Sequence, residues 1–120
     1  MPYKFKKGGI LTETGAKEIL LQHTKENLKK LLTEIVNQTL SYSHQDFTNW
    51  CSKFYFDVHI SDKDIEELNI DQATINVLGD IDAQWDLYLI GTFPYDELQS
   101  LDLSTVKLPS GWFVNWLNQL

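Results

Sequence analysis

A chain of 120 residues, 42% hydrophobic and 22% charged, has the size and composition of one folded domain, which excludes a disordered or fibrous chain. Its single cysteine, Cys51, excludes an internal disulfide. The net charge of −7 and the complete absence of arginine among ten basic residues argue against nucleic-acid binding, because arginine is the preferred fork for phosphates and base edges.

No run approaches the roughly 20 apolar residues of a membrane span. Lys4, Lys6 and Lys7 are followed only by the apolar pair Ile10–Leu11, which is too short for a signal peptide. We therefore expect a cytoplasmic protein with no membrane partner. Residues 1–120 read as a single compact domain, with 1–11 as a flexible N-terminal segment. The charge is unevenly spread: residues 1–53 sum to +3 and residues 54–120 to −10.

In chain order, the first element is a long helix from Thr14 to Leu40, capped by Thr12 or Thr14. Leu28, Leu31, Leu32, Ile35 and Val36 fall at helical spacing, and Glu26–Lys30 is an i,i+4 pair on the polar side. Ser43 caps a short second helix running to Lys53, with Phe47, Trp50, Cys51 and Phe54 at +3, +4 and +7. It runs into a strand from Phe54 to Ile60, where Phe54, Phe56, Val58 and Ile60 alternate with Tyr55, Asp57 and His59. Ser61 to Leu68, with acids following a cap residue, forms one or two helical turns.

Residues 70–90 fit two patterns. Ile75, Leu78, Trp85 and Leu89 follow a helical period. Gly79 in the middle, the β-favouring run Leu87–Ile90, and the stops at Gly91 and Pro94 instead favour a hairpin of strands Ala73–Leu78 and Trp85–Phe93. A helical turn follows Pro94, and a C-terminal amphipathic helix carries Trp112, Phe113, Trp116, Leu117 and Leu120. The expected fold is α+β: a long N-terminal helix and a C-terminal helix packed on an antiparallel sheet of about three strands.

We find no catalytic motif. Cys51 sits on an apolar helix face, and His44 is two turns away, about 10 Å along the axis and beyond hydrogen-bond reach. His23, His44 and His59 lie on three elements without ligand spacing. A calcium loop counted from Asp80 would need Gly and Glu where Trp85 and Gly91 stand. Neither Lys7-Gly8-Gly9 nor the adjacent pair Glu66 and Glu67 matches a phosphate loop or an acid–base pair. We expect no enzyme, metal or cofactor.

The acidic half carries the functional expectation. Tyr55, Asp57 and His59 would share one strand face, Asp86 and Tyr88 another, and Asp80 and Asp82 the turn between the hairpin strands. Acids steer a basic partner and tyrosine rings anchor it. The expected function is therefore a non-enzymatic, acidic protein-binding module. The class that fits is an inhibitor or immunity-type protein neutralising a basic partner such as a nuclease toxin, whose phosphate-binding surface is lysine- and arginine-rich. The alternative is a small-ligand-binding or regulatory domain, or an accessory subunit, with Trp50, Trp85 or Trp112 as walls of a ligand site.

Overall fold

The first helix starts at Thr24, ten residues beyond Thr14, in a computed structural model that describes residues 17–60 and 70–120. The Thr24 Oγ1 accepts from the Asn27 N–H at 3.1 Å and opens α1, Lys25–Val36. The expected flexible segment 1–11, the caps Thr12 and Thr14, and the helical turn at Ser61–Leu68 lie outside the described residues.

Residues 17–24 are not helical, although Leu20 and Leu21 fit the stripe of α1. Their backbone is engaged elsewhere. The Lys17 N–H donates to Asp46 Oδ1 at 2.8 Å, and the Trp50 Nε1–H donates to the Leu21 carbonyl at 3.0 Å. These bonds bind the segment as a strap along the second helix, in place of the i→i−4 ladder a longer α1 would need.

α1 ends in a Schellman motif. The Gln38 N–H donates to the Ile35 carbonyl and the Thr39 N–H to the Glu34 carbonyl, with Gln38 at φ 61° in the left-handed position usually held by glycine. α2, His44–Ile60, starts with a reciprocal cap: Ser43 Oγ accepts from the Asp46 N–H, and Asp46 Oδ2 accepts from the Ser43 N–H.

The expected strand Phe54–Ile60 is the second half of α2. The alternation there is a coincidence of apolar content. Burial follows the helical stripe Phe47, Trp50, Cys51 and Phe54, with Val58 half-buried, while Phe56 and Ile60 are 62% and 60% exposed.

The expected hairpin is likewise one helix, α3, Gln72–Thr92. Asp71 Oδ1 caps it, accepting from both the N–H and the hydroxyl of Thr74. Thr74, Val77, Leu78, Ile81, Trp85 and Leu89 form its buried stripe, so the helical period outweighs the β propensity of Leu87–Ile90. Gly79 lies inside the helix, against the Tyr55 ring of α2, rather than in a turn. No strand occurs among the described residues, so the α+β expectation is replaced by an all-helical fold.

Pro94 breaks α3 and leads into α4, Tyr95–Ser100. A 3-10 turn, Leu103–Thr105, follows, and α5, Ser110–Gln119, buries Phe113 and Trp116. α2 packs chiefly on α3, and α1 on α5. One hydrophobic core runs from Ile19 to Trp116 through both pairs. At their junction Phe47 meets Phe113 edge-on, with ring centroids 6.0 Å apart.

Candidate functional site

Helical geometry disperses the seven residues expected to bind a partner. On α2, Tyr55 and His59, four residues apart, still share a face, but Asp57 is turned about 200° away from both. The Tyr55 ring lies over Gly79 of α3 and against the His59 ring, centroids 4.3 Å apart. The His59 Nδ1–H donates to the Tyr55 carbonyl at 3.0 Å. Asp57 accepts from His23 Nδ1–H at 2.6 Å.

On α3, two of the three acids serve the fold. Asp80 accepts from the Trp116 Nε1–H at 2.7 Å, satisfying the one polar atom of a buried ring. Asp82 accepts from the Ser52 hydroxyl at 2.5 Å and ties α3 to α2. Tyr88 is half-buried against Trp112 in a T-shaped pair at 5.7 Å. Of the seven, Asp86 alone is exposed and makes no hydrogen bond or ion pair among the described residues.

Asp86 has neighbours that the strand expectation hid. Leu87 is 58% exposed and Ile90 is 70% exposed; both stand off the buried stripe of α3, and Ile90 is one turn beyond Asp86 and Leu87. Immediately past Pro94, α4 presents Tyr95 at 74% exposure beside the exposed Asp96 and Glu97. Neither helix contains a lysine or arginine. Part of the signal was available: with residues 72–92 read as a helix, Leu87 and Ile90 fall outside the stripe Val77, Leu78, Ile81, Trp85 and Leu89, as do Ile75 and Tyr88, which the structure half-buries.

Cys51 is fully buried, and burial first, then the charge of Asp82, pushes its thiol pKa well up. The described residues contain no group of three or more histidine, cysteine or acidic side chains placed to hold a metal ion. None of their helices is long and apolar enough to cross a membrane. The tryptophans Trp50 and Trp85, expected as walls of a ligand site, are 2% and 7% exposed within the core. No protein-family model, curated protein or solved structure matches the chain.

Proposed function

We propose that this protein is a non-enzymatic binding module that docks a basic protein on the outer face of α3 and on α4. The observation that carries this reading is the exposure of Leu87, Ile90 and Tyr95 beside Asp86, Asp96 and Glu97, on two helices free of cations. Large apolar side chains that water covers in the free protein supply the anchor area, and like-signed charge around them steers an oppositely charged partner. A basic enzyme, such as a nuclease toxin, is the partner class that suits this chemistry, with this protein as its inhibitor or immunity-type protein, because phosphate-binding surfaces are rich in lysine and arginine. A cytoplasmic setting accords with a lone cysteine held as a buried free thiol.

The test is co-purification from the native host, followed by surface-based kinetics with the protein recovered. A basic partner should associate more slowly as salt rises and as Asp86 and Glu97 are reversed to lysine. It should dissociate faster from Leu87→Ala, Ile90→Ala and Tyr95→Ala. An acidic partner, or binding indifferent to salt and to all five substitutions, overturns the proposal.

A further inference from the structure

A second site lies elsewhere on the molecule and shares no residue with the α3–α4 face. The end of α1, the loop into α2 and the start of α5 enclose a cleft of about 390 Å³, within the roughly 300–1,000 Å³ of ligand-binding clefts. Ile35, Leu40, Leu108 and Phe113 make its walls apolar. Its polar groups are Gln38, Tyr42, His44, Lys107 and Ser110. In a chain of net charge −7, no carboxylate among the described residues lines this cleft.

The protonation of His44 follows from its bonding. Its Nδ1 sits 2.9 Å from the Leu108 backbone nitrogen, whose N–H can only donate, so Nδ1 is the bare, accepting nitrogen. Burial first, and the charge of Lys107 second, lower the imidazole pKa to about 4. The ring is therefore neutral near pH 7, with its one proton on Nε2. That Nε2–H has no partner among the described residues. Lys107 likewise makes no ion pair among them, its ammonium being exposed at the cleft. The cleft thus pairs apolar walls with one cation, Lys107, and with neutral donors that include the His44 Nε2–H.

The backbone at the cleft is also held against its preference. Gln38, one of its lining residues, keeps φ at 61°, where an L side chain is disfavoured and glycine is usual. A side chain retained at such a position is accounted for if it serves the cleft.

We infer that this cleft binds a small amphiphilic monocarboxylate, with its aliphatic body on Ile35, Leu40, Leu108 and Phe113 and its carboxylate between Lys107 Nζ and His44 Nε2–H. One cation among otherwise neutral donors suits a single negative charge. A phosphate dianion would call for further positive groups or a bidentate guanidinium, and the chain has no arginine.

The test titrates the isotope-labelled full chain with octanoate, 1-octanol and octylammonium, following backbone amides and the His44 ring by NMR. Octanoate should bind saturably, with shifts confined to Gln38, Tyr42, His44, Leu108, Ser110 and their neighbours. Octanol should bind about tenfold more weakly, the worth of one hydrogen bond to a charged group, and octylammonium not measurably. Lys107→Gln, an exposed substitution that leaves the core intact, should weaken octanoate by a similar factor. His44→Asn, whose Oδ1 can still accept from the Leu108 N–H, should do the same by removing the Nε2–H. Unsaturable shifts scattered over exposed apolar residues such as Phe56 and Leu87 would overturn the inference. So would octanol binding as tightly as octanoate, or octanoate affinity unchanged in Lys107→Gln.

Discussion

The ring of Tyr55 occupies the space that a side chain on Gly79 would need. A Cβ built on Gly79 would stand 3.1 Å from the Tyr55 Oη, 3.2 Å from Cζ and 3.3 Å from Cε1. The contact lets α2 and α3 approach closely, at the expense of glycine inside a helix, which costs about 1 kcal/mol relative to alanine. At Gly91, near the end of the same helix, a Cβ would meet nothing within 4 Å. Gly91→Ala should therefore stabilise the protein by ~0.5 kcal/mol or slightly more. Gly79→Ala should gain less or lose stability, because the tyrosine must give way. In a Tyr55→Ala background, Gly79→Ala should recover the full helix-propensity gain. Urea unfolding of the four variants closes this double-mutant cycle, and equal effects of Gly79→Ala in both backgrounds would refute the contact.

Gln38→Gly is expected to stabilise the fold by ~0.5–1 kcal/mol. The left-handed conformation at φ 61° costs an L residue about 1–2 kcal/mol, which glycine avoids, against a partial offset from its freer unfolded chain. The Schellman hydrogen bonds to Ile35 and Glu34 use main-chain atoms alone and should survive. The urea midpoint should rise with no change in slope; a fall would show that the glutamine side chain holds the turn.

Acid should destabilise the protein in two stages. His44 has a folded pKa of about 4 against 6.5 for the free side chain, so its native form favours the neutral ring. Its contribution is complete above pH 6.5 and is lost as pH falls towards 4, where the unfolded chain binds a proton the folded one refuses. Allowing for solvent on the open side of the ring, the loss is about 1–2 kcal/mol. Asp71 acts lower down. The Lys25 ammonium at 2.6 Å, and then Thr74, hold its carboxyl well below the usual range, so its contribution is present above pH 3.8 and lost beneath it. Unfolding free energies measured from pH 7.5 to 3 should show the first loss in the native protein. The loss should be diminished in His44→Asn, whose difference curve isolates the one imidazole.

Cys51 should be inert in the folded state. Full burial and a raised thiol pKa leave no thiolate for a reagent to attack. Labelling with a thiol reagent near neutral pH should be slow and should accelerate with denaturant in step with global unfolding. Rapid stoichiometric labelling of the native protein would contradict the packing of Phe47, Trp50 and Phe54 around it.

Local signals made some elements legible. The start of α2 is written in Ser43 and Asp46, three residues apart, and its apolar stripe in Phe47, Trp50, Cys51 and Phe54. The C-terminal helix follows from the spacing of Phe113 and Trp116. What failed were choices settled by tertiary contacts. Gly79 looks like a turn until Tyr55 is placed across it. The Phe56 and Ile60 alternation looks like a strand until the stripe is followed on to Val58. Asp80 looks like free surface charge until Trp116 donates to it from 36 residues away. The acidic excess was readable as composition. The proposed binding role falls to Asp86, Asp96 and Glu97, rather than to Asp57, Asp80 and Asp82, because the fold has already engaged the latter three.

The strap ahead of α1 behaves as a ligand that happens to be covalently attached. Its contacts with α2 fall on Asp46, Trp50, Lys53 and Asp57, one row along the helix at steps of four, three and four. Its own side chains alternate, Ile19 at 5% exposure and Leu20 at 84%. The ion pairs Glu18–Lys53 and His23–Asp57 lie towards solvent and add little; the grip comes from the bonds to Asp46 and Trp50, from Ile19 and Leu21, and from the His23 ring stacked on Phe54. Two part-buried hydrogen bonds and a few side-chain contacts would bind a free octapeptide poorly. The short connection through Thr24 supplies the rest, by keeping the strap at an effective concentration in the millimolar range beside its groove. Occupancy is thus a property of the tether as much as of the contacts, and a backbone cut between the strap and α1 would release the segment without altering any atom that holds it.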